Sequence, residues 1–303
     1  MKKTKTLVLI DSLYEQYGLD GAERNGILFL PMLRGRVENR ALRALRKLHL
    51  SLPLPGKNLW LGRWPRAAED YDTVVLADAG NTPNVVRYLN RRWPGKRVIV
   101  WYRNPAAASL PPEAFGRLDC EVWSFDPADC AAHGLGYNPQ FYIPQDPGPA
   151  GDGEQEAFFV GQDKGRGQTL ARLEQALQAA GCKTRFCIVG VNSPRLPYWE
   201  IVRRAASARV IVDCPCEGQS GLTLRPLEAL FYQKKLITTS PGIRQQDFYH
   251  PHNVFVWGQD DPAGLKDFLA RPYDIRVDRF RAGYSLEAWA ARFDPTQPEE
   301  TNP

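Results

Sequence analysis

Residues Val210–Thr239 read VIVDCPCEGQSGLTLRPLEALFYQKKLITT. A short β-branched run ends at Asp213, a loop of small and polar residues follows, a helical pattern spans Thr223–Gln233, and a second apolar run occupies Leu236–Thr239. Both runs are nearly continuous in apolar residues rather than alternating, which is the pattern of strands covered on both faces of a parallel sheet. Pro226 falls in the first turn of the helix, where its missing N–H breaks no hydrogen bond. The stretch is a strand–helix–strand unit, and its loop lies where such units place ligands.

The same rhythm extends outward. Upstream, strands are expected at Ala157–Val160 and Thr184–Val189 and helices at Gly167–Ala180 and Tyr198–Ala208, with Gly181 as a helix stop. Downstream come a strand at Val254–Trp257, a helix at Pro262–Arg271 and a last helix at Ser285–Arg292. The first half has strand candidates Thr6–Ile10, Thr73–Ala77, Arg97–Tyr102 and Cys120–Phe125. Helical segments Val37–Leu50, Pro83–Arg92, Pro111–Leu118 and Pro127–His133 lie between or beside them. Between the halves, IPQDPGPAGDGEQE (Ile143–Glu156) has the Pro-, Gly- and acid-rich composition of a linker. The expectation is an α/β protein with two doubly wound, Rossmann-like domains facing a cleft. Its parts are residues 1–145, a linker 146–156, residues 157–275 and a tail 276–303. In such sheets ligands bind outside the carboxyl ends of the strands.

Composition narrows the classes. Of 303 residues, 43% are hydrophobic and 24% charged, which excludes disordered, collagen-like and coiled-coil chains. No run approaches the roughly 20 apolar residues of a membrane span, and TLVLI (Thr6–Ile10) is shorter than the about 7–15 residues of a signal-peptide core. A cytoplasmic protein is expected. The cysteines Cys120, Cys130, Cys182, Cys187, Cys214 and Cys216 form no CxxC pair, and the four histidines have no zinc spacing. Free thiols of a reducing compartment are favoured over a soft-metal site at Cys214-Pro215-Cys216. Residues 1–103 carry 19 Lys and Arg against 9 Asp and Glu, whereas the remaining 200 carry 20 against 25. The basic half points to an anionic partner.

Two loops carry candidate chemistry. In Phe159–Arg166, FVGQDKGR, small residues permit close backbone approach at a helix start, and Lys164 and Arg166 supply cations for an anion. In the opening stretch, Ser220, Gly221 and Thr223 can present amides and hydroxyls to a diphosphate at the positive end of the helix. Glu228, one turn further, can accept hydrogen bonds from a ribose diol. Together these describe a nucleotide site.

Residues 157–293 resemble the donor-binding half of GT-B glycosyltransferases, most of all those that build bacterial lipopolysaccharide cores and capsules. The likeness rests on the FVGxxKGR turn, the YWEIV helix start (Tyr198–Val202), SGLTLRPLEAL (Ser220–Leu230), the KKLITT strand (Lys234–Thr239) and the tail SLEAWAARF (Ser285–Phe293). For residues 1–145 it is architectural only. It implies transfer of a sugar from a nucleotide-activated donor to a surface-glycan acceptor, without metal or other cofactor. It also implies that Lys164 and Arg166 face the donor diphosphate, that Ser220, Gly221 and Thr223 form the phosphate turn, that Glu228 binds the ribose, and that the last helix packs back on the first domain. Retaining members often carry a second glutamate eight positions before the first; here that position is Ser220, with Glu217 three residues earlier, so inversion is favoured.

Inversion needs a general base. Candidates in the first half are Asp11, Asp20, Glu23 and Asp78, of which Asp11 and Glu23 are preferred, with Arg103 and Asn104 on the acceptor side. Asp70-Tyr71-Asp72 matches a metal-binding DxD but precedes a strand instead of following one, so no metal site is assigned to it. Val37–Leu50 puts Arg36, Arg40, Arg43 and Lys47 on one face and Val37, Ala41, Leu45 and Leu48 on another. It is either a surface helix packed on the sheet or a contact for an anionic membrane at the inner face or a lipid-linked acceptor. Trp60 and Trp64 either stack on a sugar or fill core. The alternatives to glycosyl transfer are an epimerase or hydrolase acting on the nucleotide sugar, and a non-catalytic binder of anionic polymers; nucleic acid is not an expected partner.

Overall fold

The computed structural model describes residues 5–10, 19, 21–35, 37–148, 157–190 and 196–294. They form two compact units, Met1–Pro139 with Ala290–Pro303, and Gln140–Trp289.

In the first unit the chain runs β1 (Thr6–Ile10), β2 (Glu23–Arg24), β3 (Ile27–Pro31), α1 (Arg40–Ser51), β4 (Thr73–Ala77), α2 (Thr82–Arg92), β5 (Arg97–Tyr102), β6 (Glu121–Ser124), α3 (Pro127–His133) and β7 (Gly136–Tyr137). The sheet order is β2-β3-β1-β4-β5-β6-β7. Every pairing is parallel except β2 with β3. β1 and β4 are buried along their whole length, as their uninterrupted apolar runs require. Val85, Val86 and Leu89 of α2 lie beneath them in a core that also takes Trp64 and Tyr102. Trp64 is fully buried and its indole donates to Met32 O at 2.9 Å, so it fills core. Trp60 is half-buried, its indole N–H on Nδ1 of His49.

Three features depart from the sequence reading. The stretch read as a loop around Glu23 is the β2–β3 hairpin, closed by Asn25 and Gly26 at φ 53° and 85°. An Asn-Gly pair with both residues at positive φ is the favoured two-residue hairpin connection. The helix expected over Pro111–Leu118 is a 3-10 turn, Pro112–Phe115, because the paired prolines allow only a first turn before Gly116. The helix expected from Val37 begins at Arg40, capped by Asn39, whose side chain accepts from the Leu42 amide.

The second unit runs β8 (Ala157–Gln162), α4 (Gly167–Ala179), β9 (Thr184–Val189), α5 (Tyr198–Ser207), β10 (Val210–Asp213), α6 (Leu224–Phe231), β11 (Lys235–Thr238), β12 (Val254–Val256), α7 (Leu265–Ala270) and α8 (Leu286–Ala291). All its pairings are parallel, in the order β12-β11-β10-β8-β9. β9 lies on one side of β8 and β10 on the other, so the strand order reverses at β8. Leu170, Leu173 and Leu177 of α4 cover one face, while Leu227 and Leu230 of α6 cover the other. This unit starts before the proline-rich stretch: Tyr142 N donates to Tyr284 O at 2.9 Å, and Phe141 packs on Trp289 with ring centres 4.7 Å apart. Residues 149–156 of the expected linker lie outside the described residues. Ala290–Pro303 groups with the first unit, where the Phe293 ring stands 5.2 Å from that of Trp123. Both units are doubly wound α/β sheets, as the alternation of runs implies.

Candidate functional site

In the second unit the strand order reverses at β8, and the loops at the carboxyl ends of β8 and β10 flank that point. Two guanidinium groups meet there over the face of Phe159, Arg166 at 5.3 Å and Arg225 at 5.1 Å from the ring centre. Arg166 donates to Gln162 O through Nε (3.1 Å) and Nη2 (2.9 Å), and to Cys214 O through Nη1. Arg225 donates to Val160 O through Nη2, and its Nη1 is 3.7 Å from Oδ1 of Asp213. Room for both depends on Gly161: a Cβ there would stand 2.8 Å from Nη2 of Arg166 and 2.9 Å from Nη2 of Arg225. Burial and the neighbouring Arg225 lower the pKa of Arg166. A like-charged pair held this way favours an anion.

Asp213 anchors the start of α6. Its buried carboxylate accepts from Thr223 Oγ1 (2.7 Å) and Thr238 Oγ1 (2.9 Å), while Thr223 Oγ1 also accepts from the Arg225 amide as N-cap. The Thr223 hydroxyl therefore fastens the helix to the sheet, and it is the turn before it, with Ser220 exposed and Gly221 buried, that can offer backbone to a ligand. Lys164 is exposed at φ 46° beside Gly165 at 83°.

Glu228 is only 6% exposed. Burial raises its pKa above the ordinary carboxylate value, against the opposing pull of Arg225 and a hydrogen bond from Tyr198. Tyr198 opens α5 directly after Pro197, its N-cap; residues 191–195 lie outside the described residues. Tyr142 and Tyr232 complete the surroundings, Tyr142 Oη donating to Tyr232 Oη at 3.1 Å, and burial together with Glu228 raises the pKa of both. The carboxylate sits in a tyrosine-lined recess and not open on the turn.

The structure separates the candidates of the first unit. Glu23 pairs in register with Leu28, which lies beside Leu7 near the start of β1, and its side chain is hydrogen-bonded to Tyr71, just before β4. It is thus exposed at the amino edge of the sheet, opposite the ligand-binding edge, which removes it as a base. Asp70-Tyr71-Asp72 lies at that same edge, with Asp72 accepting from the Lys5 amide at 2.9 Å. Asp11 and Asp20 lie outside the described residues. At the carboxyl edge stands Asp78, after β4, buried and accepting from Arg103 N (3.1 Å) and Ser109 Oγ (2.5 Å). Burial raises its pKa despite both bonds. Arg103 is half-buried beside it and Asn104 exposed.

Sequence reasoning missed the partnership of Arg225 with Arg166. The available signal was Gly161, a residue without a side chain at a strand end facing two arginines distant in sequence. Among the described residues, His250, His252 and Asp274 place potential metal-ligand atoms within 4.8 Å of one another. Arg276 already fills that position with a cation, 2.5 Å from Oδ2 of Asp274 and 3.4 Å from Nε2 of His250.

No family model matches the chain, and no curated protein matches it. Among solved structures, the spinosyn rhamnosyltransferase SpnG complexed with thymidine diphosphate aligns over 95% of this chain and 91% of its own, at 12% identity and a TM-score of 0.40. A DNA-modifying β-glucosyltransferase, solved in the presence and absence of uridine diphosphoglucose, aligns over 95% and 98%, at 11% identity and a TM-score of 0.45. At these values the likeness carries no inference about site or substrate.

Proposed function

We propose that this chain is a metal-independent GT-B glycosyltransferase that binds a nucleoside diphosphate sugar at the carboxyl edge of its second unit. The observation that carries the reading is the Arg166–Arg225 pair over Phe159, beside the start of α6 and with Glu228 in its recess. The sequence likeness of residues 157–293 supports it independently.

On this reading the two guanidiniums and the amides of the Ser220–Thr223 turn meet the diphosphate, whose negative charge grows as the bond from the sugar C1 to the diphosphate oxygen breaks. Glu228 takes the ribose hydroxyls in place of the Tyr198 hydroxyl. The acceptor hydroxyl attacks C1 and passes its proton to a carboxylate of the first unit. We assign that role to Asp78, buried at the carboxyl edge of its own sheet with its pKa raised by burial; Asp11, preferred from the sequence, lies outside the described residues. The product is inverted at C1. The basic first half fits an anionic acceptor such as a growing lipopolysaccharide or capsule glycan made at the inner membrane face.

The test is calorimetry with UDP, GDP, CMP and ADP, followed by turnover of the matching nucleotide sugars. Wild type is expected to bind at least one, and Glu228→Ala, still folded by circular dichroism, to bind it at least tenfold more weakly. Unchanged affinity removes Glu228 from the site; no binding by wild type removes the donor reading. Donor consumption without an acceptor would move the assignment to a hydrolase or epimerase.

A further inference from the structure

Ten large hydrophobic side chains are exposed among the described residues, and six of them fall between positions 42 and 59: Leu42, Leu45, Leu48, Leu52, Leu54 and Leu59. Three lie on α1, where Leu42, Leu45 and Leu48 are 41%, 54% and 56% exposed. Their spacing places them on one flank of the helix, and Arg40, Arg43 and Lys47 lie on the other. This is no loosely attached helix. Leu50 is buried, Lys57 Nζ donates to Leu50 O at 2.8 Å, and His49 joins the Trp60 indole to Pro55 O. The body of the protein therefore holds one side of α1 and turns the apolar flank outward, which goes against the first of the two readings of this helix, that its apolar side packs on the sheet.

We propose that this face docks on an anionic phospholipid surface, with α1 lying in the headgroup plane, its leucines inserted and its cations on the phosphates. An amphipathic helix with basic residues flanking an exposed apolar stripe is built for that interface. Charge selects lipid over a second copy of the chain. From Asn39 to Ala68 the sequence has seven Lys and Arg and no Asp or Glu. A two-fold contact would set this patch against itself and bring like charges together, whereas an anionic bilayer neutralises them. The inference does not depend on the donor reading, since none of these residues belongs to that site.

The experiment is co-sedimentation of the full chain with vesicles of phosphatidylcholine alone and of phosphatidylcholine with 30 mol% phosphatidylglycerol, the latter a composition of about one anionic lipid in three. Wild type is expected to sediment with the anionic vesicles and at least tenfold less with the neutral ones. Leu45→Ser with Leu48→Ser, at exposed positions and with unchanged melting, should lose binding at least tenfold. Arg43→Glu with Lys47→Glu should lose it too, at about fivefold for each cation removed. Wild type that ignores anionic vesicles, or a leucine variant that binds like wild type, overturns the proposal. So does light scattering that shows a dimer which the leucine variant dissolves and vesicles do not affect, because the occupant is then a second copy.

Discussion

Gly161→Ala tests the arginine pair without altering either arginine. Gly161 sits in β8 and has no positive φ, so alanine can adopt its backbone. The added methyl would stand 2.8 Å from Nη2 of Arg166, 2.9 Å from Nη2 of Arg225 and 3.2 Å from Cζ of Phe159. The first two atoms end long flexible side chains, so they swing aside before the strand yields, and only the Phe159 contact presses on the core. The cost to folding should sit at the low end of overpacking, about 1 kcal/mol. That lowers the melting temperature of a unit of this size by about 2–4 °C.

The cost to binding is larger. Displacing one guanidinium removes a charge-assisted hydrogen bond worth about 1.5–3 kcal/mol, which is about 12- to 160-fold in affinity. Displacing both multiplies the loss. Calorimetry with the best-binding nucleoside diphosphate reads the affinity, and thermal shift supplies a second readout. A ligand at a hundred times its Kd stabilises wild type by about 2.7 kcal/mol, and that increment should fall to about 0.3–1.3 kcal/mol in Gly161→Ala at the same concentration. A folded variant that binds as tightly as wild type refutes the placement of the anion. If the variant melts far below the expected few degrees, Arg225→Ala gives the same comparison, and equal affinity there refutes it as well.

Glu228→Gln should separate burial from binding. The native carboxyl titrates above the ordinary 4.5 because burial disfavours its charge. Between those two values the native state keeps a proton that the unfolded chain has lost, so this group's contribution to stability falls as pH rises and levels off once the native carboxyl ionises. The variant should therefore melt above wild type at pH 8, with the gap closing below pH 4.5; a gap independent of pH contradicts this. Gly136→Ala, in β7, puts a methyl 2.4–2.7 Å from the Trp123 ring, which is held by the Glu121 carboxylate at 3.0 Å and packed on Phe293. A rigid ring cannot swing like an arginine, so about 1–3 kcal/mol of stability should be lost, read as a lower urea midpoint with unchanged slope; an unshifted midpoint contradicts the packing.

The architecture was legible because strands buried on both faces announce themselves as short apolar runs, as in Thr6–Ile10 and Thr73–Ala77. What escaped notice depended on contacts distant in sequence or on turn chemistry passed over. Asn25-Gly26 is a hairpin signal within the sequence, and giving it weight would have paired Glu23 beside Leu28 and taken it away from the ligand-binding edge. Arg225 had no local sign of its role, because its setting is made by Phe159 and Gly161, more than sixty residues earlier. The helix at Arg40–Ser51 was legible as amphipathic, but which flank the body covers is decided by Lys57, Trp60 and His49 and not by the periodicity.

The charge balance at the second unit's switch point is what the proposed diphosphate would complete. Arg166 and Arg225 both lie over the Phe159 ring, and Asp213 is paired with Arg225. That carboxylate is already engaged by the Thr223 and Thr238 hydroxyls, and it stands 3.7 Å from Arg225, longer than a hydrogen bond, so it offsets the cations only in part. Partly buried cations that are incompletely neutralised work against folding unless the position has a use. Backbone carbonyls of Val160, Gln162 and Cys214 orient both guanidiniums without cancelling their charge. On the proposed reading, a group bearing two or more negative charges, such as the donor diphosphate, would supply the missing neutralisation.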